Sequence, residues 1–476
     1  MDKYDVIVVG AGVTGLLAAL TLSKHGKKVL VLEKQDSVGG NCNSYTVDGY
    51  QVDTGPHAIT HLAEGPLRRL MDNYFDYQPV FEDYGQYYVR TEERFVKVPS
   101  TIKEFVTFDV FPKLDRLAIT QAITKSLTMA SFGIDLSDQS VYDSLPANLS
   151  KDTYDFADAI SYFLSGRCMK ETSAQRVLAG SSFVRDSVTQ EQFEEIIKQE
   201  STPQTESILQ SVLPSNLHLS LHSRINLSCL GRLASNKVSL SQGYPRKGLK
   251  SLLNAILYSL PSTVEIKTGC EVHKIFTDNG KAWGVEADNA YSADLVIYTG
   301  FATSLPTLVE DLPASYKELL DGIVHSKSLT LWLGLDRMMD EFKYVGSEIW
   351  FKDTPYWAMP TSNYDPSLAP KGKQLIGFAF FMDEDNDESK DIKNAYETIF
   401  RAIPNIEDRI EMKHHQVIVP EKAAVTLNGK FADIRTPVKN LYVAGTDTDK
   451  RSMGVTRAAY SILEMLKVLN EDGNLH

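Results

Sequence analysis

Residues 5–33 read DVIVVGAGVTGLLAALTLSKHGKKVLVLE, and the way this stretch divides decides the fold. Asp5 to Val9 is an apolar run of strand length. Gly10-Ala11-Gly12 is a turn, Val13 to Lys24 a helix with Leu16 and Leu20 on one face, and Val29 to Glu33 a second strand. Gly26 stands just past the helix, where a left-handed residue closes the last turn. The unbroken Val29-Leu30-Val31-Leu32 has the apolarity of a strand buried on both faces, which implies a parallel sheet. In Gly10-x-Gly12-x-x-Gly15 the backbone can approach a pyrophosphate while the helix N-terminus faces its charge. A carboxylate at Glu33 accepts hydrogen bonds from a ribose diol and disfavours a 2′-phosphate, so the stretch predicts a site for FAD or NAD.

The rest of the chain sets the bounds. At 476 residues there is room for roughly two to four domains. Hydrophobic residues at 43% and charged residues at 23% fit a globular protein and exclude collagen-like and disordered classes. A net charge of -13 opposes a general nucleic-acid surface. Cys42, Cys168, Cys229 and Cys270 lie far apart without metal-ligand spacing, so free thiols and no metal site are expected. Val6 to Leu22 is the one long apolar run, and its glycines make it neither a signal peptide nor a membrane span. The expectation is cytoplasmic residence, with peripheral attachment at the inner face of the membrane leaving no such mark.

Beyond residue 60 the pattern changes twice. From Gly65 to about Leu240 helical periods dominate, with starts at Gly65-Pro66 and at the capping box Thr189 to Gln192. Strands return at Val264 to Thr268, in a hairpin turning at Asp278-Asn279-Gly280, and at Leu295 to Tyr298. Ser328 to Leu335 and Gln374 to Phe381 also read as strands, and Leu441 to Ala444 runs into Gly445 and a helix from about Gly454 to Leu469. The expected fold class is α/β. A Rossmann-like nucleotide domain with a parallel sheet is assembled from 1–65, 241–304 and 431–476, and an α+β substrate domain, mostly helical with some strands, from 66–240 and 305–430.

Further motifs make the resemblance specific. Ser37-Val38-Gly39-Gly40-Asn41, then Gly49, Asp53, Gly55, Pro56 and His57, resemble the FAD signature of the flavoprotein group that includes amine oxidases, protoporphyrinogen oxidase and phytoene desaturases. Tyr244-Pro245-Arg246-Lys247-Gly248, Val272, and Asn440 to Asp447 followed by Met453-Gly454-Val455 match the same group in order. Asp53 to Thr60 is closest to the phytoene desaturase branch. The resemblance implies FAD held by Gly10, Gly12, Gly15 and Glu33 at the ADP half, with Val13, Thr14 and Lys34 also binding it, Val272 at the adenine, and Gly39, Gly40 and Asn41 continuing the pyrophosphate cradle, Gly40 towards the flavin half. Gly55, Pro56, His57, Gly445, Thr446 or Asp447, Met453, Gly454 and Val455 would lie towards the flavin. No Cys follows Cys270 and no His lies between His415 and His476, so the FAD is expected to be non-covalent.

What the resemblance implies for function is redox at a carbon–carbon bond of an isoprenoid or other apolar substrate, with electrons passed to oxygen, a quinone or another acceptor. His57 and His61 follow the Gly-Pro turn, and an imidazole near neutrality can move a proton, so His57 is the candidate catalytic group, the alternative being a hydrogen-bonded histidine that shapes the turn. Two departures stand out. Asn41 replaces the group's usual arginine, as in galactopyranose mutases, which keeps open a flavin-assisted isomerase or hydratase of polyprenyl chains. Arg457 replaces a frequent glutamate and reads either as a partner for negative charge or as a surface residue. An amine oxidase is disfavoured because Trp332, Trp350 and Trp357 lie on no matching motif, and a non-catalytic prenyl-binding protein of the GDP-dissociation-inhibitor type is opposed by the intact Gly12, Gly15 and Glu33. From Thr101 to Gly133, Phe105, Phe108 and Phe111 recur at helical spacing up to the break at Pro112, a stretch that reads as an ordinary amphipathic helix against the core or, as the resemblance to phytoene desaturases allows, as a region that meets the membrane and admits isoprenoids.

Overall fold

The N-terminal reading is what the chain adopts: Lys3–Val9, the helix Val13–Lys24, and Val29–Leu32. They belong to a computed structural model that describes residues 3–55, 57–63, 65–99, 102–131, 138–174, 176, 242–382, 387–418 and 421–475. The two strands run parallel, with Val6 opposite Val29 and Val9 opposite Leu32. A seven-stranded sheet grows from them in the order Lys274–Asp278, Lys281–Glu286, Ala290–Tyr298, Lys3–Val9, Val29–Leu32, Val264–Lys267. Leu441–Val443 joins it as a parallel partner of Ala290–Tyr298, beside the end that Lys281–Glu286 leaves free. Alternation explains why the central strands are apolar throughout. Val6 and Val8 pack on Leu16 and Leu20 of the first helix and Ile462 of the closing one, while Ile7 and Val9 pack on the opposite face with Leu320 and Leu441. The hairpin at Asn279 and Gly280 has positive φ at both residues (49° and 71°), the backbone of a tight two-residue turn.

A second seven-stranded sheet is mostly antiparallel: Ile410–Ile418, Lys327–Leu335, Gln374–Met382, Tyr356–Met359, Gly346–Trp350, Gln86–Arg90, Phe95–Lys97. Its Lys327–Leu335 strand separates two environments residue by residue. Leu329, Leu331, Leu333 and Leu335 enter one core with Phe378 and Ile399, and Ser328 and Thr330 point the other way into a cavity.

The stretch read as helical from residue 65 differs in part. It begins with the expected helix, Pro66–Tyr74, but Phe81–Asp83, Gln86–Arg90 and Phe95–Lys97 are strands. Tyr87, Tyr88 and Val89 favour extended backbone, and Arg90 is drawn across to Glu348, with Nε–Oε1 at 2.7 Å. As expected, Pro112 separates two helices, Ile102–Val106 and Lys113–Ser131. Phe105, Phe108 and Phe111 are buried with Phe156 and Phe351. The Thr189 to Gln192 capping box and Cys229 lie outside the described residues. Among the described residues no helix is long and apolar enough to cross a membrane.

Candidate functional site

One cavity of about 1970 Å³ is lined by both the glycine-rich turn and the aromatic helices. Ligand cavities usually measure roughly 300–1,000 Å³, so this one has the volume of two sites. Gly10, Gly12, Val13, Thr14, Glu33, Lys34, Gly39, Gly40, Asn41 and Val272 line it, as do Gly55, His57, Gly445, Thr446, Met453, Gly454 and Val455. Pro56 lies outside the described residues. Gly15 is not on the wall. It serves the turn from behind, because a Cβ there would stand 2.0 Å from the Gly10 carbonyl oxygen.

The turn has the form a diphosphate needs. Gly12 ends the extended backbone before the Val13–Lys24 helix, which has no side-chain cap and no acid in its first turn. Its first N–H groups therefore have no partner within the helix, and they sit at its positive end. A Cβ on Gly12 would meet nothing within 4 Å, so the space beside the turn is open to a ligand. Gly39 closes over it, donating its N–H to Ala11 O at 2.8 Å. Glu33 is 6% exposed and accepts from Ala11 N at 2.6 Å and Gln35 N at 2.9 Å. Each carboxylate oxygen keeps acceptor capacity, and Glu33 lies on the wall where a ribose would reach it. The residues fit FAD.

Glu33→Ala should strand the wholly buried Ala11 N–H as well as remove the ribose acceptor. At about 1–3 kcal/mol for such a loss, FAD should bind about fivefold to 150-fold more weakly. FAD content after gel filtration checks this, and full retention would remove the role assigned to Glu33.

Two side chains sit elsewhere than the sequence implied. Asp447 does not line the cavity: its Oδ2 accepts from Ala302 N at 2.8 Å and lies 3.0 Å from His325 Nε2. In the turn after the Leu441–Val443 strand, Thr446 lines the cavity while Asp447 points into the packed interior. Arg457 is not a surface residue but 0% exposed, donating to Ala423 O, Thr446 O and Ser452 O. Burial and the neighbouring Arg176 pull its guanidinium down to about 9.

At Gly55, past the Tyr50–Asp53 strand, His57 Nδ1 lies 2.7 Å from Gly55 O. A carbonyl only accepts, so Nδ1 carries the hydrogen in that bond and Nε2 is left for another partner. Gln416 fixes the same turn, accepting from Gly55 N at 3.0 Å and donating to Asp53 O at 2.8 Å. Asp53 is buried and accepts from Ser44 Oγ, Tyr244 OH and Leu249 N, tying three segments together. Burial outweighs these bonds and raises its carboxyl. The Cys42 thiol on the wall is pushed up to about 12 by burial and by Asp53, which makes it inert.

Sequence reasoning missed the middle of the wall: Ser328, Thr330, Arg176, Glu421, Lys422 and Arg451. The period-two pattern of Lys327 to Leu335, leucine alternating with Ser, Thr, Trp and Gly, carried the signal for two of them. Lys422 holds the Glu421 carboxylate below its usual range. Trp357 also lines the cavity. Among the described residues no group of three or more His, Cys, Asp or Glu could hold a metal ion.

The nucleotide sheet, the uncapped glycine turn with its acidic partner and the attached second sheet define an FAD-dependent oxidoreductase. The Flavin containing amine oxidoreductase profile matches residues 13–461, and the chain belongs to this family. It is 24% identical over 408 residues to the zeta-carotene-forming phytoene desaturase of Myxococcus xanthus, covering 78% of this chain and 71% of that one. It is 44% identical to human all-trans-retinol 13,14-reductase over 70 residues, a stretch that spans only 12% of that protein. The crystal structure of an oxidoreductase from Methanosarcina mazei has the same fold, with a TM-score of 0.72 at 21% identity over 98% of this chain and all of that one.

Proposed function

We propose that this protein uses non-covalent FAD to oxidise or reduce a carbon–carbon bond in an isoprenoid or similarly elongated apolar substrate. The observation that carries the reading is that the cavity does not end at the flavin-binding wall but continues between aromatic side chains. Phe105, Phe108, Phe156, Ile160, Phe163 and Trp357 line that part. Apolar area removed from water there contributes roughly 25 cal/mol per Å² to binding before ordering costs. Similarity to a phytoene desaturase over most of the chain supports the same class.

In this reading residues 1–65, 241–304 and 431–476 form the FAD domain, and 66–240 and 305–430 the substrate domain. The turn at Gly12, with Glu33 and Val272, holds the ADP half, and Gly40, Gly55, Thr446, Gly454 and Val455 lie towards the flavin half. Bound FAD supplies hydride exchange with carbon. The protein orients the chain, excludes water and, through Nε2 of His57, moves a proton. Electrons pass to or from oxygen, a quinone or another acceptor. Val106, Leu114 and Leu117 stay exposed on the outer side of the aromatic helices, where a protein of the cytoplasm would rest against the inner face of the membrane.

The test begins with the visible spectrum of the purified protein, the chromophore then being released by heat and identified. Released FAD, together with anaerobic bleaching of the flavin by a polyene or its reoxidation by one, is the expected result. A colourless protein that cannot be reconstituted with FAD overturns the proposal. Turnover that needs a reductant without consuming it would replace it with isomerisation or hydration.

A further inference from the structure

Hydrocarbon alone is a poor match for one wall of this cavity. Lys422 is 7% exposed and lines it, with Nζ 2.6 Å from Glu421 Oε1 and 5.9 Å from the centre of the Phe381 ring. An ammonium has three donors, and the bond to Glu421 occupies one. Arg176 lines the same cavity, fixed by Nε to Leu164 O at 2.9 Å and by Nη2 to Ser452 O at 3.2 Å.

The Ser452 carbonyl is shared. It also accepts Arg457 Nε at 3.2 Å and Nη2 at 2.9 Å, so two guanidinium groups converge on one oxygen. Ser452 reaches that position with φ at 54°, a left-handed conformation that a residue with a side chain adopts only under constraint. Arg457 links the two cationic side chains, since its Nη1 is bonded to Ala423 O, one residue beyond Lys422, at 2.7 Å. Among the described residues its hydrogen bonds go only to carbonyls, leaving its charge in the interior without a carboxylate in contact.

Carboxylates do face this wall: Glu421 answers Lys422, Asp449 answers Arg451, Asp447 lies behind, and Asp138 is exposed on the lining. Among the described residues at this end of the cavity, cations outnumber them, with Arg176, Lys422, Lys450 and Arg451 on the lining and Arg457 behind it, although the whole chain is acidic. A neutral hydrocarbon filling the cavity would offer no acceptor to the Lys422 ammonium, whose bond to Glu421 occupies one of three donors, which is costly in an apolar surround.

We infer that the substrate carries a negatively charged head, a carboxylate or a phosphate monoester, on its apolar chain, and that Lys422 and Arg176 receive it. The inference rests on the cavity being the site of an elongated apolar substrate, and it narrows that class from hydrocarbons to amphipathic acids. Arg457 and Ser452 are positioning residues that hold the cationic wall in place.

The experiment uses the FAD-loaded protein and three probes sharing one C20 chain: geranylgeranoic acid, geranylgeranyl phosphate and geranylgeraniol. Binding is read by equilibrium dialysis and by the perturbed flavin spectrum. At least one anion should bind about tenfold to a hundredfold tighter than the alcohol, the range for a hydrogen bond between charged partners. Comparing the two anions identifies the head. Lys422→Met and Arg176→Gln should each cut the preference by about tenfold, with FAD content and the affinity for the alcohol unchanged, and Lys422→Arg should keep it. Equal binding of alcohol and both anions overturns this inference and leaves the flavoenzyme proposal standing, whereas binding of none of the three contradicts the apolar-substrate reading itself. Variants that shift the flavin potential without touching the preference would assign the charge to the cofactor and overturn the inference.

Discussion

Gly15→Ala is expected to yield a protein that neither retains FAD nor reaches the stability of the parent. The new methyl would stand 2.0 Å from Gly10 O and 2.9 Å from Thr299 Oγ1, and Gly10 O belongs to backbone that cannot rotate away. Either the helix moves off the sheet or the turn opens, at about 3 kcal/mol, the upper end for overpacking. Gly12→Ala is the contrasting variant. Its backbone is extended (φ −67°, ψ 176°), which alanine adopts freely, and its Cβ has open space. It should therefore unfold at the same temperature as the parent yet bind FAD about a hundredfold more weakly, about 2.7 kcal/mol, because the methyl occupies the approach to the helix N-terminus. Thermal unfolding of the FAD-free proteins and flavin titration separate the two effects. Gly12→Ala with parental FAD affinity would move the diphosphate site away from this turn.

Arg90→Met should produce the second large loss, this time without touching the nucleotide. Glu348 is wholly buried, and its two oxygens bind Arg90 Nε and Nη2 as well as Tyr344 OH and Tyr356 OH. Removing the guanidinium leaves a charge in the interior with only two phenols, a loss of about 3–5 kcal/mol. Glu348→Gln added to Arg90→Met removes that stranded charge and should recover part of the loss. Denaturant midpoints of the single and double variants test the pair, and a single variant as stable as the parent would show that Glu348 finds another partner. Arg90 sits on Gln86–Arg90 and Glu348 on Gly346–Trp350, which are paired in parallel in the second sheet. The pair therefore joins segments far apart in the chain.

That ion pair illustrates what the sequence conceals. Val29 to Leu32 announces a central strand because both its faces are buried, and Asn279-Gly280 announces a hairpin because few residues take two positive φ angles. These signals are local. Gln86 to Arg90 has no such mark, since its place depends on Glu348 across the fold. The same contrast holds in the site. That Gly10, Gly12 and Glu33 line the cavity was legible from spacing, because a strand-turn-helix fixes backbone over a short stretch. Lys422 and Arg176 were not, because a cavity wall gathers side chains from unrelated segments. Asp447 and Arg457 show the limit from another side: position next to a motif indicates neighbourhood, and only the direction of the side chain decides between cavity and interior.

The strand Ala290–Tyr298 takes its partners in two halves, Lys281–Glu286 along the first and Leu441–Val443 along the second. On the ribosome this imposes an order. The glycine turn is made first, but the sheet carrying it keeps an open edge opposite Val296, Ile297 and Tyr298 until residues 441–443 emerge. At roughly 5–20 residues per second, the stretch from residue 298 to residue 441 takes roughly 7–29 seconds. Until then the nascent chain presents an unpaired strand edge and an unfinished cradle. Closure of the cradle is thereby tied to the emergence of residues 441–443, and chaperone demand should peak just before it.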